Sequence, residues 1–198
     1  PAPAPARDEA PPSPARTAAA QADTAAMVPA GFGTLRQDDI SIRLELEQVQ
    51  VRLLPLDEGI IRLLSPDSYR AVRDLTTSRQ RQVERVAQMH GLRERRLWYV
   101  SFYGLAPEAQ FSPLELTITS GGREFRPLEV IPLSSGFGEQ RLQPRETQSA
   151  IYVFDDGMDL SQPIGVMFGR VRDEATWAEA LRKIERERSM VRARAGRS

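Results

Sequence analysis

Four of the thirteen aromatic residues in this 198-residue chain fall within Leu97-Trp98-Tyr99-Val100-Ser101-Phe102-Tyr103. Extended, this stretch sends Trp98, Val100 and Phe102 to one side and Leu97, Tyr99 and Tyr103 to the other, because successive side chains of a strand alternate. Both sides then need cover. That demand places the segment at the centre of a sheet lying between a second sheet and a helix, since a strand with one solvated face reads as apolar against polar.

Other stretches supply the rest of such a body. Ile40, Ile42, Leu44 and Leu46 alternate with Ser41, Arg43 and Glu45, and the phase slips by one at Val49, Val51 and Leu53. A bulge, or a break near Glu47-Gln48, absorbs the slip. Asp57-Glu58-Gly59 reads as a turn and Ile60 to Leu64 as a short returning strand. Ser65-Pro66-Asp67 starts a helix, with Ser65 as cap and Pro66 in the first position. Apolar residues from Tyr69 to Val86 recur at helical spacing up to Gly91, so one helix over about 66–90 is expected, weakest at Thr76-Thr77-Ser78. Ser120-Gly121-Gly122 is a hairpin turn. The return strand, Phe125 to Leu133, contains Pro127 and Pro132 and belongs at an edge. Ala150 to Phe154 and Ile164 to Phe168 are two further strands. Asp173-Glu174-Ala175-Thr176 caps a last helix over 173–198, with Trp177, Leu181, Ile184 and Val191 on one face.

The run Leu142-Gln143-Pro144, followed by Ala150-Ile151-Tyr152-Val153-Phe154-Asp155, resembles the paired late strands of immunoglobulin-like domains in bacterial envelope proteins. The resemblance implies a mainly β fold used for binding or assembly: an immunoglobulin-like antiparallel β-sandwich over 34–172, with one inserted helix and one C-terminal helix.

Composition excludes several function classes. Lys+Arg and Asp+Glu are both 27, so no net field drives the chain onto nucleic acid. Cysteine is absent, which removes disulfides and thiol chemistry together. No apolar run approaches the ~18 residues that span a bilayer. The sequence starts at Pro1 without an initiator methionine and reads as either a processed product or a fragment. The single histidine, His90, has no cysteine to complete a zinc site and no second histidine for a nucleophile-and-base pair. Asp155-Asp156-Gly157 with Asp159 is the one acidic cluster that a hard cation such as calcium could use, though Asp and Gly are also ordinary turn residues. No catalytic residue, cofactor site or metal site is assigned.

The two ends remain. Residues 1–33 hold a Pro/Ala-rich arm that cannot bury enough surface to order itself alone, and Gly31-Phe32-Gly33 forms a flexible joint. Beyond Leu181 the chain turns basic, with Arg182, Arg186, Arg188, Arg192 and Arg194. This suits either the negative end of the helix dipole or an anionic surface, lipid headgroup or acidic subunit. Phe32 and Phe137, each between glycines, are either interface anchors or core residues. The expectation is a non-catalytic, extrinsic structural subunit. It would sit in the periplasm or peripherally on the outer face of the inner membrane, holding a larger membrane-protein assembly through Phe32, Phe137 and these arginines. In design it looks like the small extrinsic subunits of energy-transducing complexes, including those on phototrophic reaction-centre and antenna rings. The rivals are a free-standing envelope ligand-binding or surface-anchored module, and a carboxylate-dependent hydrolase.

Overall fold

The computed structural model describes residues 27–196, so the expectation of an extended arm lies, for residues 1–26, outside the described residues. The described chain is mainly β, with eleven strands in three antiparallel sheets and four α-helices. The principal sheet has the order β1 (Ile42–Glu45), β2 (Val49–Pro55), β3 (Arg96–Gly104), β9 (Thr147–Phe154), β7 (Glu129–Pro132). The aromatic stretch is β3, the middle strand. A second sheet runs β11 (Val171–Asp173), β10 (Ile164–Phe168), β5 (Leu116–Ser120), β6 (Arg123–Phe125), and a small ladder pairs β4 (Ala109–Gln110) with β8 (Arg141–Leu142).

From Trp98 to Gly104 one face of β3 is fully buried. Val100 stands opposite Leu53 and Ala150, and Trp98 opposite Pro55 and Tyr152. Phe102 stacks on Phe111 at 4.2 Å and meets Phe168 of β10 at 5.5 Å, so the aromatic cluster joins the two larger sheets. The edges β1 and β11 also approach each other. Trp98 touches Trp177 of the last helix, α4 (Thr176–Ala195), at 5.8 Å. Both tryptophans have no exposed surface, yet Trp177 Nε1 donates to Leu160 O while Trp98 Nε1 has no partner among the described residues.

The second face of β3 is only half covered. At one end Leu97, Leu54, Ile151 and Val153 are buried. Two helices contribute Tyr69, Val72, Val83 and Val86 to the same core: α2 (Pro66–Ser78) and α3 (Gln80–His90). The second of them packs against β7, where Arg79 Nε donates to Pro132 O at 3.2 Å. At the other end Ser101 and Tyr103 of β3 remain partly exposed.

Several expectations need correction. The single helix over 66–90 is two, broken at Arg79 (φ −118°, ψ 11°). Just before the break, Thr77 and Ser78 hydroxyls donate back to the carbonyls of Arg73 and Leu75, the competition that weakens such residues inside helices. The strand expected over Ile60 to Leu64 is replaced by the helical turn α1 (Glu58–Ile61), because the Ile60 and Ile61 amides both fold back to Asp57 O. With these, four helices stand where two were expected. The strand Phe125 to Leu133 is divided around Pro127, with β6 in one sheet and β7 at the edge of another. Gly33 is no loose joint: a Cβ there would lie 2.1 Å from Leu63 O, so only glycine permits the backbones to approach. Val28 is buried as well, and the packed body therefore starts before residue 34.

Candidate functional site

The fold brings Phe32, Thr34 and the turn from Gln37 to Ile40 against α4, and one buried carboxylate holds the contact. Asp173 opens the helix by accepting the Thr176 amide (2.9 Å) and hydroxyl (2.6 Å), and Trp177, Ala180, Ile184 and Val191 then turn inward. Glu187 falls in the same stripe and is 1% exposed. Its Oε1 accepts the Thr34 amide at 2.9 Å, the Thr34 hydroxyl at 3.0 Å and Arg194 Nη1 at 2.8 Å. The same Arg194 nitrogen donates to Phe32 O at 2.6 Å. A turn earlier on the helix, Lys183 Nζ pairs with Asp39 at 2.8 Å. That hydrogen bond, helped by the Arg36 amide, holds the Asp39 carboxyl below its ordinary pKa. The arm's root and the basic helix thus form one continuous surface.

The residues read as partner-binding are distributed unevenly over it. Arg182, Arg186 and Arg192 are exposed and make no ion pair among the described residues. Arg188 pairs with Glu185, and Arg194 is committed to Glu187 and Phe32 O. Phe32 is half-buried against the core. Phe137 lies apart from this surface: it is 4% exposed and packs edge-on to Phe111 in the aromatic cluster. Sequence reasoning missed Glu187, Thr34, Asp39 and the role of Lys183. A carboxylate three residues after Ile184 and four before Val191, inside an apolar stripe, was the available signal.

Two clefts bear on the rival readings. One, of about 180 Å³, lies where α4 meets α1 and the start of β3, and gathers Asp57, Arg96, Asp159, Glu185 and Arg188. Burial raises the Asp57 carboxyl above its ordinary pKa, against the pull of Arg96 at 3.1 Å. Hydrogen bonds from the Ser161 hydroxyl and amide lower Asp159. Arg96 Nε is buried without a partner among the described residues. The other cleft, of about 440 Å³, has Phe111 and Phe168 in its lining with Glu115, Glu139, Gln140 and Arg141 around them. Gln140 there is left-handed (φ 54°), as are Glu108 and Arg145 near the same small ladder.

The carboxylates of the acidic loop are engaged by backbone amides, that of Asp156 by the segment that leads into β3. Asp156 accepts the Arg93 and Glu94 amides, and Asp155 accepts the Asp156 amide. Among the described residues no group of three or more His, Asp or Glu side chains is placed to hold a metal ion, and His90 is exposed at the end of α3. No described helix is long and apolar enough to cross a membrane. Neither a protein-family model nor a curated protein nor a solved structure matches the chain.

Proposed function

We propose that this chain is a non-catalytic docking subunit that grips a larger assembly through the surface formed by its arm and α4. The observation that carries this reading is the buried Glu187, which ties Thr34 and Arg194 together and so fixes the root of the arm to the helix whose exposed face carries Arg182, Arg186 and Arg192. An arm that orders only on its partner gives a wide contact of low affinity per unit area. Exposed arginines offer bidentate donors to carboxylate or phosphate. The assembly we favour is an integral membrane complex met from the periplasmic side, with a reaction-centre and antenna complex as one instance. On this reading the two larger sheets form an immunoglobulin-like sandwich that serves as an inert body.

The experiment is purification of the untagged protein from native membranes at low and high salt, with Arg182, Arg186 and Arg192 intact or changed together to Gln. Co-migration with integral subunits that weakens with salt and with the triple change supports the reading. Recovery as a lone monomer under every condition refutes it, and then favours the envelope-module alternative, whose ground is the 440 Å³ cleft beside Phe111. The hydrolase alternative rests on Asp57 and Asp159. Its weakness is that the Asp57 carboxylate is already engaged by Arg96.

A further inference from the structure

The uncovered end of the principal sheet carries a polar row with an unusual centre. Cross-strand register puts Arg43 opposite Arg52, Arg52 opposite Ser101, and Ser101 opposite Ser149, so four strands contribute one transverse line on one face. The next line on that face holds Gln50 opposite Tyr103. No α-helix of the described chain packs on this end; the short helical turn Gln37–Ile40 borders it on the β1–β2 side, and Tyr103 is half-buried.

Like charges placed directly opposite on neighbouring strands repel, and the sheet keeps such a pair at its open face. A single carboxylate serves both guanidiniums: Asp38 lies 2.7 Å from Arg43 and 3.0 Å from Arg52, and is itself 60% exposed. The remaining contacts of Arg52 are neutral, Ser41 Oγ at 3.0 Å and Gln37 Oε1 at 3.4 Å. Burial weakens its hold on the proton relative to an ordinary arginine, so its charge is poorly solvated as well as poorly matched. Glu45, further along the same face, is bonded to Gln50 at 3.1 Å. The pattern is a cationic pair sharing Asp38, a half-buried tyrosine and, further along, the Glu45 acceptor.

We infer that this face docks an extended acidic segment of a protein partner, which sets a carboxylate on the Arg43–Arg52 pair, a donor near Glu45 and an apolar group on Tyr103. Arginine and tyrosine are the side chains that carry interface energy, and a guanidinium pair with spare donors matches a carboxylate geometrically. The spread from Arg43 on β1 to Tyr103 on β3 suits an extended chain better than a phosphate alone, which would leave Tyr103 without contact. This surface meets the one formed by the arm and α4 at Asp38–Asp39, and differs from it in the side chains that would bind: Arg43, Arg52 and Tyr103 here, Arg182, Arg186 and Arg192 there.

The test uses the full chain, isotope-labelled, titrated with a short synthetic peptide of alternating Glu and Thr. The expected result is a saturable shift of the Arg43 and Arg52 Nε–H signals and the Tyr103 ring, with affinity reduced about tenfold in Arg52→Gln. Arg43→Gln gives the same loss and serves if the first variant melts early. Arg182→Gln with Arg186→Gln leaves the titration unchanged, which separates this face from the terminal surface. Shifts confined to α4, an unaltered affinity in both Arg43→Gln and Arg52→Gln, or equal displacement of the peptide by inorganic phosphate or by phosphatidylglycerol vesicles overturns the inference, while the reading of the chain ends stands or falls by co-purification alone.

Discussion

Truncating Glu187 to alanine removes the acceptor of three hydrogen bonds and leaves Arg194 beside an emptied, nearly dry pocket. Hydrogen bonds to a buried charge contribute about 1.5–3 kcal/mol each, but they are not additive. Arg194 is one-third exposed and Thr34 is exposed, so water recovers part of both losses. A net cost of about 2–4 kcal/mol follows. For a chain of this size each kcal/mol lowers the melting temperature by about 2–4 °C, which sets the expected drop near 8 °C. Glu187→Gln, which keeps the shape and one acceptor, costs about half as much. Glu185→Ala breaks only the exposed pair with Arg188 and costs under about 1 kcal/mol. The second readout is amide exchange. The Thr34 amide loses protection in Glu187→Ala, while the Leu35 amide, which donates to Leu63 O, keeps it. If Glu187→Ala melts within about 1 kcal/mol of the parent and Thr34 exchanges at the parental rate, the clamp does not exist as described.

The pH dependence has two opposed parts. Asp39 is held below its ordinary value of 3.8, so it adds stability above that value and loses it as pH falls through the lower folded value; urea midpoints of Asp39→Asn should fall less steeply in acid than those of the parent. Asp57 is raised by burial, so its penalty is absent in acid and grows as pH climbs from 3.8 past the higher folded value; Asp57→Asn should flatten that part of the profile, and an unchanged slope refutes the burial argument. The two tryptophans in contact differ by one hydrogen bond. Trp177→Phe should cost about 1 kcal/mol more than Trp98→Phe in chemical denaturation, and equal costs would mean the bond to Leu160 contributes nothing net. Gly33→Ala drives a methyl group into the Leu63 carbonyl and should lower the melting temperature by several degrees, whereas Gly138→Ala, with open space around it, should not.

The readings that survived rest on local alternation. The residues from Leu97 to Tyr103 announced a central strand by their alternation, although only the side of Trp98, Val100 and Phe102 is fully sheltered and Tyr99 and Tyr103 stay half-buried. Gly121 and Gly122 announced the β5–β6 turn because glycine tolerates the positive φ that both adopt. What local pattern could not carry was partner choice. β2 pairs with β1 and β3, and no alternation in the sequence distinguishes that from a hairpin through Asp57. The break at Arg79 was marked by Thr76-Thr77-Ser78 as a weak point, but the bond of Arg79 to Pro132 O, 53 residues away, has no trace in the local pattern. The candidate site divided in the same manner. Exposed Arg182, Arg186 and Arg192 followed from the helical wheel. Phe137, flanked by glycines as Phe32 is, gave no sign that Phe102 and Phe111 would receive it.

The Thr34–Glu187 and Asp39–Lys183 links also decide how the body bears tension. A pull at residue 27 meets the bonds to Val28 O and Phe32 O first, then Thr34 on Glu187 and Leu35 on Leu63, and Asp39 on Lys183 last before the first rung of β1. The sheet is therefore shielded from peeling. Its endurance under a steady pull is set by the rate at which α4 lets go, not by the equilibrium stability of the strands.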